Sequence, residues 1–332
     1  MIPPPRERAW LRSILRIGGS VVALVIVFHF LSLGEVWTTL RDLPLYLWIL
    51  VVTGYLTAHL IAALKWRLMV NLGGSGLGFG QAARCYFSGL FSTLLLPSVI
   101  GGDVVRAGLA LRSTRNKAAI LVGSFLDRAI DFLALTFLAV FGAVLAPGAL
   151  PSQSRRIFVT VGLAILALAV VLASVVIWFP ARRFSFRIRR RLVRLRNAAH
   201  AVRRQPQFLM AAGCLALVVQ GSFIWLTARV AAASGLNLPF RAWLFAWPLA
   251  KISALVPLTQ GGIGIREAAL AALLVPFGAR AILTVAVGLA WEGVIITGGL
   301  IAGLTAALLG PFSSVHANDP LRSAARQPQK PD

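Results

Sequence analysis

The sequence predicts an all-α fold: a polytopic bundle of membrane-spanning helices. Three observations predict it. Hydrophobic residues make up 58% of the 332-residue chain and charged residues only 13%, whereas a soluble domain carries about 25%. Several apolar runs reach the roughly 18 residues that a bilayer core demands. The net charge of +23 collects in the segments between and beyond those runs. In a soluble chain that balance would suggest nucleic acid; here it is the positive-inside signature, so no nucleic-acid partner is expected.

The elements follow in order. Residues 1–16 form a basic cytoplasmic N-terminus ahead of the first apolar run, 17–33. No small-x-small cleavage site follows that run, so it reads as an uncleaved helix rather than a signal peptide. Further spans are predicted at 44–64, 118–145, 157–179, 208–233 and 281–309, giving about six spanning helices. Residues 79–111 and 242–275 are shorter apolar stretches, each broken by proline and a glycine pair. The turn "NLGGSGLGFG", 71–80, follows a membrane helix rather than a strand and reads as a flexible cytoplasmic turn, not a nucleotide loop. Trp10, Trp37, Trp48, Trp66, Trp178 and Trp243 fall near predicted helix ends, as an aromatic belt would. The membrane domain closes near 310, and 311–332 read as a disordered tail by composition.

Loop charge sets the topology. The loop 181–205 holds ten arginines and no acid, which makes it cytoplasmic. Arg6 to Arg16 place the N-terminus on the same side, as do Lys65 and Arg67 after the second span. The region 79–111 must then start and end inside, and 242–275 must start and end outside. Both read as re-entrant hairpins or as pairs of closely packed short passes, oppositely oriented, and the tail returns to the cytoplasm.

The two hairpins share a motif. Pro97, Gly101, Gly102 and Arg106, within 94–112, recur 160 residues on as Pro257, Gly261, Gly262 and Arg266, within 254–272. A shared motif on oppositely directed broken segments is the mark of an inverted repeat. Pro removes a donor and Gly frees φ, so the backbone leaves the helix there and a half-helix restarts after the glycines. Its free N–H groups, with an arginine one turn on, suit an anion. Asp103 sits among the donors of the first restart and is expected as its N-cap; the second has Ile263 there and stays more open. Lys251 adds a cation near the second break, unless it snorkels to the outer interface.

Charges also lie inside the spans. From residue 118, Asp127 is about 14 Å deep, and from residue 281, Glu292 is about 16 Å deep. A carboxylate at that depth costs at least about 2.5 kcal/mol without a partner. Arg106 is expected to pair with Asp127 or Asp131, and Arg266 with Glu292 or Glu267; Arg128 points about 100° away from Asp127. His29 and His59 read as packed side chains, Gln220 and Arg229 as interhelical contacts. Cys85 and Cys214 lie in apolar segments and form no Cys/His cluster, so no disulfide framework, metal or cofactor is expected.

With these residues in view, "KWRLMVNLGG", "LLLPSVIGGDVVRA", "LDRAIDFLAL" and "PLTQGGIGIREAAL" resemble the transmembrane region of lysylphosphatidylglycerol synthases and the stand-alone flippase-like proteins of that family, over roughly residues 15–310. The resemblance implies an integral inner-membrane protein of bacteria or archaea that handles lipids. In bifunctional members this region moves an aminoacylated phospholipid between leaflets and a separate soluble domain makes it. Stand-alone members are linked to glycolipid, polyprenyl-linked or hopanoid pathways. The aminoacyl-transfer domain is not in this sequence, so the synthase activity is not carried over.

Three function classes fit. The first is a lipid translocator, with Arg106, Lys251, Gly261, Gly262 and Arg266 around a headgroup. Pro97, Gly101, Gly102, Asp103, Asp127, Arg128, Asp131, Pro257, Glu267 and Glu292 would form its structural and charge network. The second is a membrane-embedded transferase or hydrolase with an acid of that network as base; no activated nucleophile supports it and no catalytic residue is assigned. The third is a scaffold whose ten-arginine loop holds a lipid-synthesis enzyme or anionic headgroups.

Overall fold

A computed structural model describes residues 41, 43–96, 99–114, 116–146, 204–254 and 263–309, with isolated positions between 156 and 200. The predicted span 17–33, most of the predicted span 157–179, most of the 181–205 loop and residues 310–332 lie outside the described residues, as do Pro97, Pro257, Gly261 and Gly262.

The described residues are helical, with no strand among them. Helix α1, Leu45–Leu72, starts after Pro44 and ends at Gly73. Helix α2, Phe79–Leu95, stops where Leu96 becomes extended, as the residue before a proline prefers. Helix α3 is Val99–Ser113 and α4 is Lys117–Val144, capped by the Asn116 side chain accepting from the Ala119 N–H. Helix α5, Pro206–Ala233, has proline in its first turn. Helix α6 is Phe240–Ser253. Helix α7, Ile265–Leu274, follows Gly264 at φ 85°, a left-handed backbone that glycine adopts freely. A 3-10 turn, Val275–Phe277, leads to α8, Ala281–Leu308.

Helices α1, α5 and α8, each 28 residues, are long and apolar enough to cross a membrane. Helix α4 is as long but carries Asp127, Arg128 and Asp131 within it.

The packing has a two-fold pattern. Half one is α1–α4 and half two is α5–α8. Helix α2 packs along α8, and its counterpart α6 packs along α4. Helices α1 and α5, the counterpart first helices, cross each other. They run antiparallel: Leu47 and Val51 gather with Val230, Gly54 meets Leu226, and Tyr55 and His59 meet Phe223. Helix α4 runs against α1, with Gly123 on Val70 and Trp66 bonded to Ser124. Helix α8 runs with α1, since Trp48 meets Gly293 and Tyr55 meets Gly298. Corresponding helices therefore point in opposite directions, which makes the repeat inverted and the hairpins α2/α3 and α6/α7 oppositely directed.

Four expectations change. Helix α3 begins at Val99, so Gly101 and Gly102 lie inside it rather than before it. Their role there is close packing: a Cβ on Gly102 would sit 2.5 Å from the Gly89 carbonyl oxygen of α2. Helix α1 runs past Leu64, so Lys65 is a buried helix residue and not a loop charge. The turn after α1 is held, not loose: Asn71 Oδ1 accepts from the Leu77 N–H at 2.7 Å, and Asn116 Nδ2 donates to the Gly73 carbonyl at 3.0 Å. Trp66 and Trp243 are core residues, not belt residues.

Candidate functional site

Between the two hairpins lies a cavity of about 930 Å³. Hairpin one contributes Tyr86, Gly89, Gly102, Asp103 and Arg106; hairpin two contributes Trp247, Lys251, Ile263 and Arg266. The long helices supply Tyr55 and His59, Arg128 and Asp131, Gln220 and Phe223, and Trp291 and Glu292. Its flank carries Leu95, Phe132, Ile296 and Leu300, all exposed apolar side chains. The cavity thus joins a charged centre to an exposed apolar wall.

In half one, Arg106 is buried with its guanidinium over the Trp66 ring at 4.8 Å and the Tyr86 ring at 4.9 Å. It pairs with Asp127 at 3.2 Å and with Asp103 at 3.2 Å, three residues before it on α3. Asp103 also receives Arg128 across the α3–α4 contact. It is an ion-pair partner inside α3 and not the N-cap expected from sequence. Asp131 binds Lys65 at 2.5 Å, and the same ammonium lies 3.0 Å from Asp127.

Half two repeats the idea with one exchange. Arg266 reaches Glu292 at 2.9 Å and Glu267 at 2.5 Å. The α4 acids Asp127 and Asp131 recur 161 residues on as Gly288 and Glu292. The missing carboxylate of Gly288 is replaced from the facing helix: a Cβ at Gly288 would lie 2.7 Å from Glu267 Cγ. Glu267 Oε2 also accepts from the Gly264 N–H at 2.7 Å, which closes the start of α7. Arg266, expected on the more open hairpin, is 6% exposed and also donates to the Gly288 carbonyl.

Each of these guanidinium groups faces at least one carboxylate, so burial is offset by ion pairing and hydrogen bonds. Lys251 is different. It donates to Gln220 Oε1 at 2.9 Å and lies 4.6 Å from the centre of the Phe223 ring. It makes no salt bridge among the described residues. His59 contacts the Tyr86 hydroxyl at 3.3 Å, packed as expected. No cluster of potential metal ligands exists among the described residues.

Sequence reasoning brought Arg106 to Asp127 and Arg266 to its two glutamates, but missed Lys65. The signal was present. Ala58, Ala62, Lys65 and Met69 follow helical spacing and all lie on the buried side of α1.

The model of the family described as the lysylphosphatidylglycerol synthase transmembrane region matches residues 13–303. No curated protein matches the chain.

Proposed function

The chain belongs to the family of the lysylphosphatidylglycerol synthase transmembrane region, and from that premise we propose that it is a lipid translocator whose headgroup path is the central cavity. The observation that carries the reading is the joining of a paired charge network to an exposed apolar wall in one cavity. A small soluble ion needs no such wall, whereas a lipid needs both: polar contacts for the headgroup and an apolar flank for its chains. The inverted halves add a means of movement. Two similar, oppositely directed hairpins around one site can each close one end, which gives alternating access by rocking of one half on the other.

In this reading the bundle sits in a cell inner membrane. The end holding 72–79, 113–117 and the start of α5 faces the cytoplasm, because the ten-arginine loop leads directly into Pro206. Purified protein in liposomes containing a fluorescent, chemically quenchable phospholipid tests the proposal. The added quencher should reach label beyond the outer-leaflet fraction when the protein is present. Vesicles with protein that stay as protected as empty ones would refute translocation.

A further inference from the structure

The charge balance of the cavity says more about its ligand. Five cations of the described bundle core, Lys65, Arg106, Arg128, Lys251 and Arg266, meet five acids, Asp103, Asp127, Asp131, Glu267 and Glu292. The acids are all engaged by Lys65 and the three arginines. The chain's other acids, Glu7, Glu35, Asp42, Asp319 and Asp332, fall in none of its apolar runs. Lys251 is therefore left with a neutral amide and an aromatic face in the cavity wall.

A second observation sits one helical turn away. Trp247, four residues before Lys251 on α6, also lines the cavity. Its buried Nε1–H has no acceptor among the described residues. Natural interiors rarely leave such a donor unpaired. Gln220 accepts from Lys251 through its oxygen, so its amide NH2 group remains a donor. An ammonium and a primary amide thus stand together on this wall, both able to give hydrogen bonds to anionic oxygen.

Resting on the translocator reading, we propose that this wall recognises the phosphodiester of a lipid whose headgroup is net negative, and that Lys251 sets this specificity. A phosphodiester brings one negative charge to Lys251, the one described cavity-lining cation that makes no salt bridge among the described residues. A zwitterionic headgroup brings a positive group with it, into the neighbourhood of the Lys251 ammonium. A lysylated headgroup brings still more positive charge and meets Lys251 as a like charge.

Binding of short-chain lipids to the detergent-purified protein tests this without reference to movement. The probes are short-chain phosphatidylglycerol, phosphatidylcholine, lysylated phosphatidylglycerol and inorganic phosphate. Wild-type protein should bind the phosphatidylglycerol about ten-fold tighter than the other two lipids, the size of a charge-assisted contact. Lys251→Gln should remove most of that preference and Lys251→Arg should keep it. Equal affinity for the three lipids in wild-type protein overturns the proposal and needs no variant. So does a preference that survives in folded Lys251→Gln. Inorganic phosphate binding as tightly as the lipid would show a free-anion site instead and also overturn it. Liposomes that scramble every headgroup alike would sink the charge reading and leave translocation standing. Lys251-dependent binding without movement would do the reverse.

Discussion

Lys65 shows how much one side chain can carry. It is fully buried, and its ammonium serves both Asp127 and Asp131. Removing it leaves two carboxylates facing each other with less compensation, so Lys65→Ala should cost about 3–5 kcal/mol. Thermal unfolding in detergent checks this, and Asp131→Ala on top should add less than its own separate cost. The second half offers a matching experiment. Glu267→Ala should destabilise because Arg266 loses its nearest acid and Gly264 its acceptor. Adding Gly288→Asp moves the carboxylate to the position that Asp127 occupies in half one and should recover part of the loss. No recovery would mean that the two charge clusters are built on different plans. At this scale the sequence was readable where a charge interrupts an apolar run and recurs, as with Arg106 and Arg266. It was less readable for Lys65, which stands where hydropathy falls away although the helix goes on to Leu72. Nor did spacing reveal that Glu267, next to Arg266 in sequence, stands in for an acid absent from α8.

The hairpin α2/α3 rests on glycine for proximity rather than for flexibility. Gly89 and Gly102 face each other so closely that a Cβ on Gly89 would lie 2.6 Å from the Gly102 oxygen. Helix α2 also packs along α8 and α3 along α4, so the hairpin cannot simply widen. Gly102→Ala should cost about 1–3 kcal/mol, the usual penalty of overpacking, and lower the unfolding temperature. Gly108, on the same helix, has open space where a methyl group would sit, with nothing within 4 Å. Gly108→Ala should therefore be neutral or gain up to about 1 kcal/mol from helix propensity. An equal loss at both positions would put the cost in the backbone and not in the helix contact. The glycine pair was visible in the sequence as a break because proline stands nearby. The local rule held at Leu96, which is extended ahead of Pro97. It failed at Gly101 and Gly102 because packing against α2 decides their place in the helix, and a single sequence does not show which helix will be the neighbour.

The described bundle is organised by inversion, and this was legible from two short motifs plus the distribution of arginine. The reciprocal packing, α2 on α8 and α6 on α4, was not, since no local pattern records which half a helix will meet. The orientation has a direct check. With Cys85 and the exposed Cys214 both replaced, single cysteines at Ser75 and at Gly278 should be labelled from opposite sides of the membrane, Ser75 from the cytoplasm. Labelling from one side alone would contradict the arrangement. The central claim is that lipid passes through the cavity between the hairpins. The most direct measurement compares wild-type protein with Ile263→Trp, a bulky side chain placed in the cavity wall, in the leaflet-accessibility assay. The account predicts rapid lipid exchange with the wild type and its loss with a variant that unfolds at the same temperature. A folded Ile263→Trp protein that still exchanges lipid at the wild-type rate would show that the path lies elsewhere.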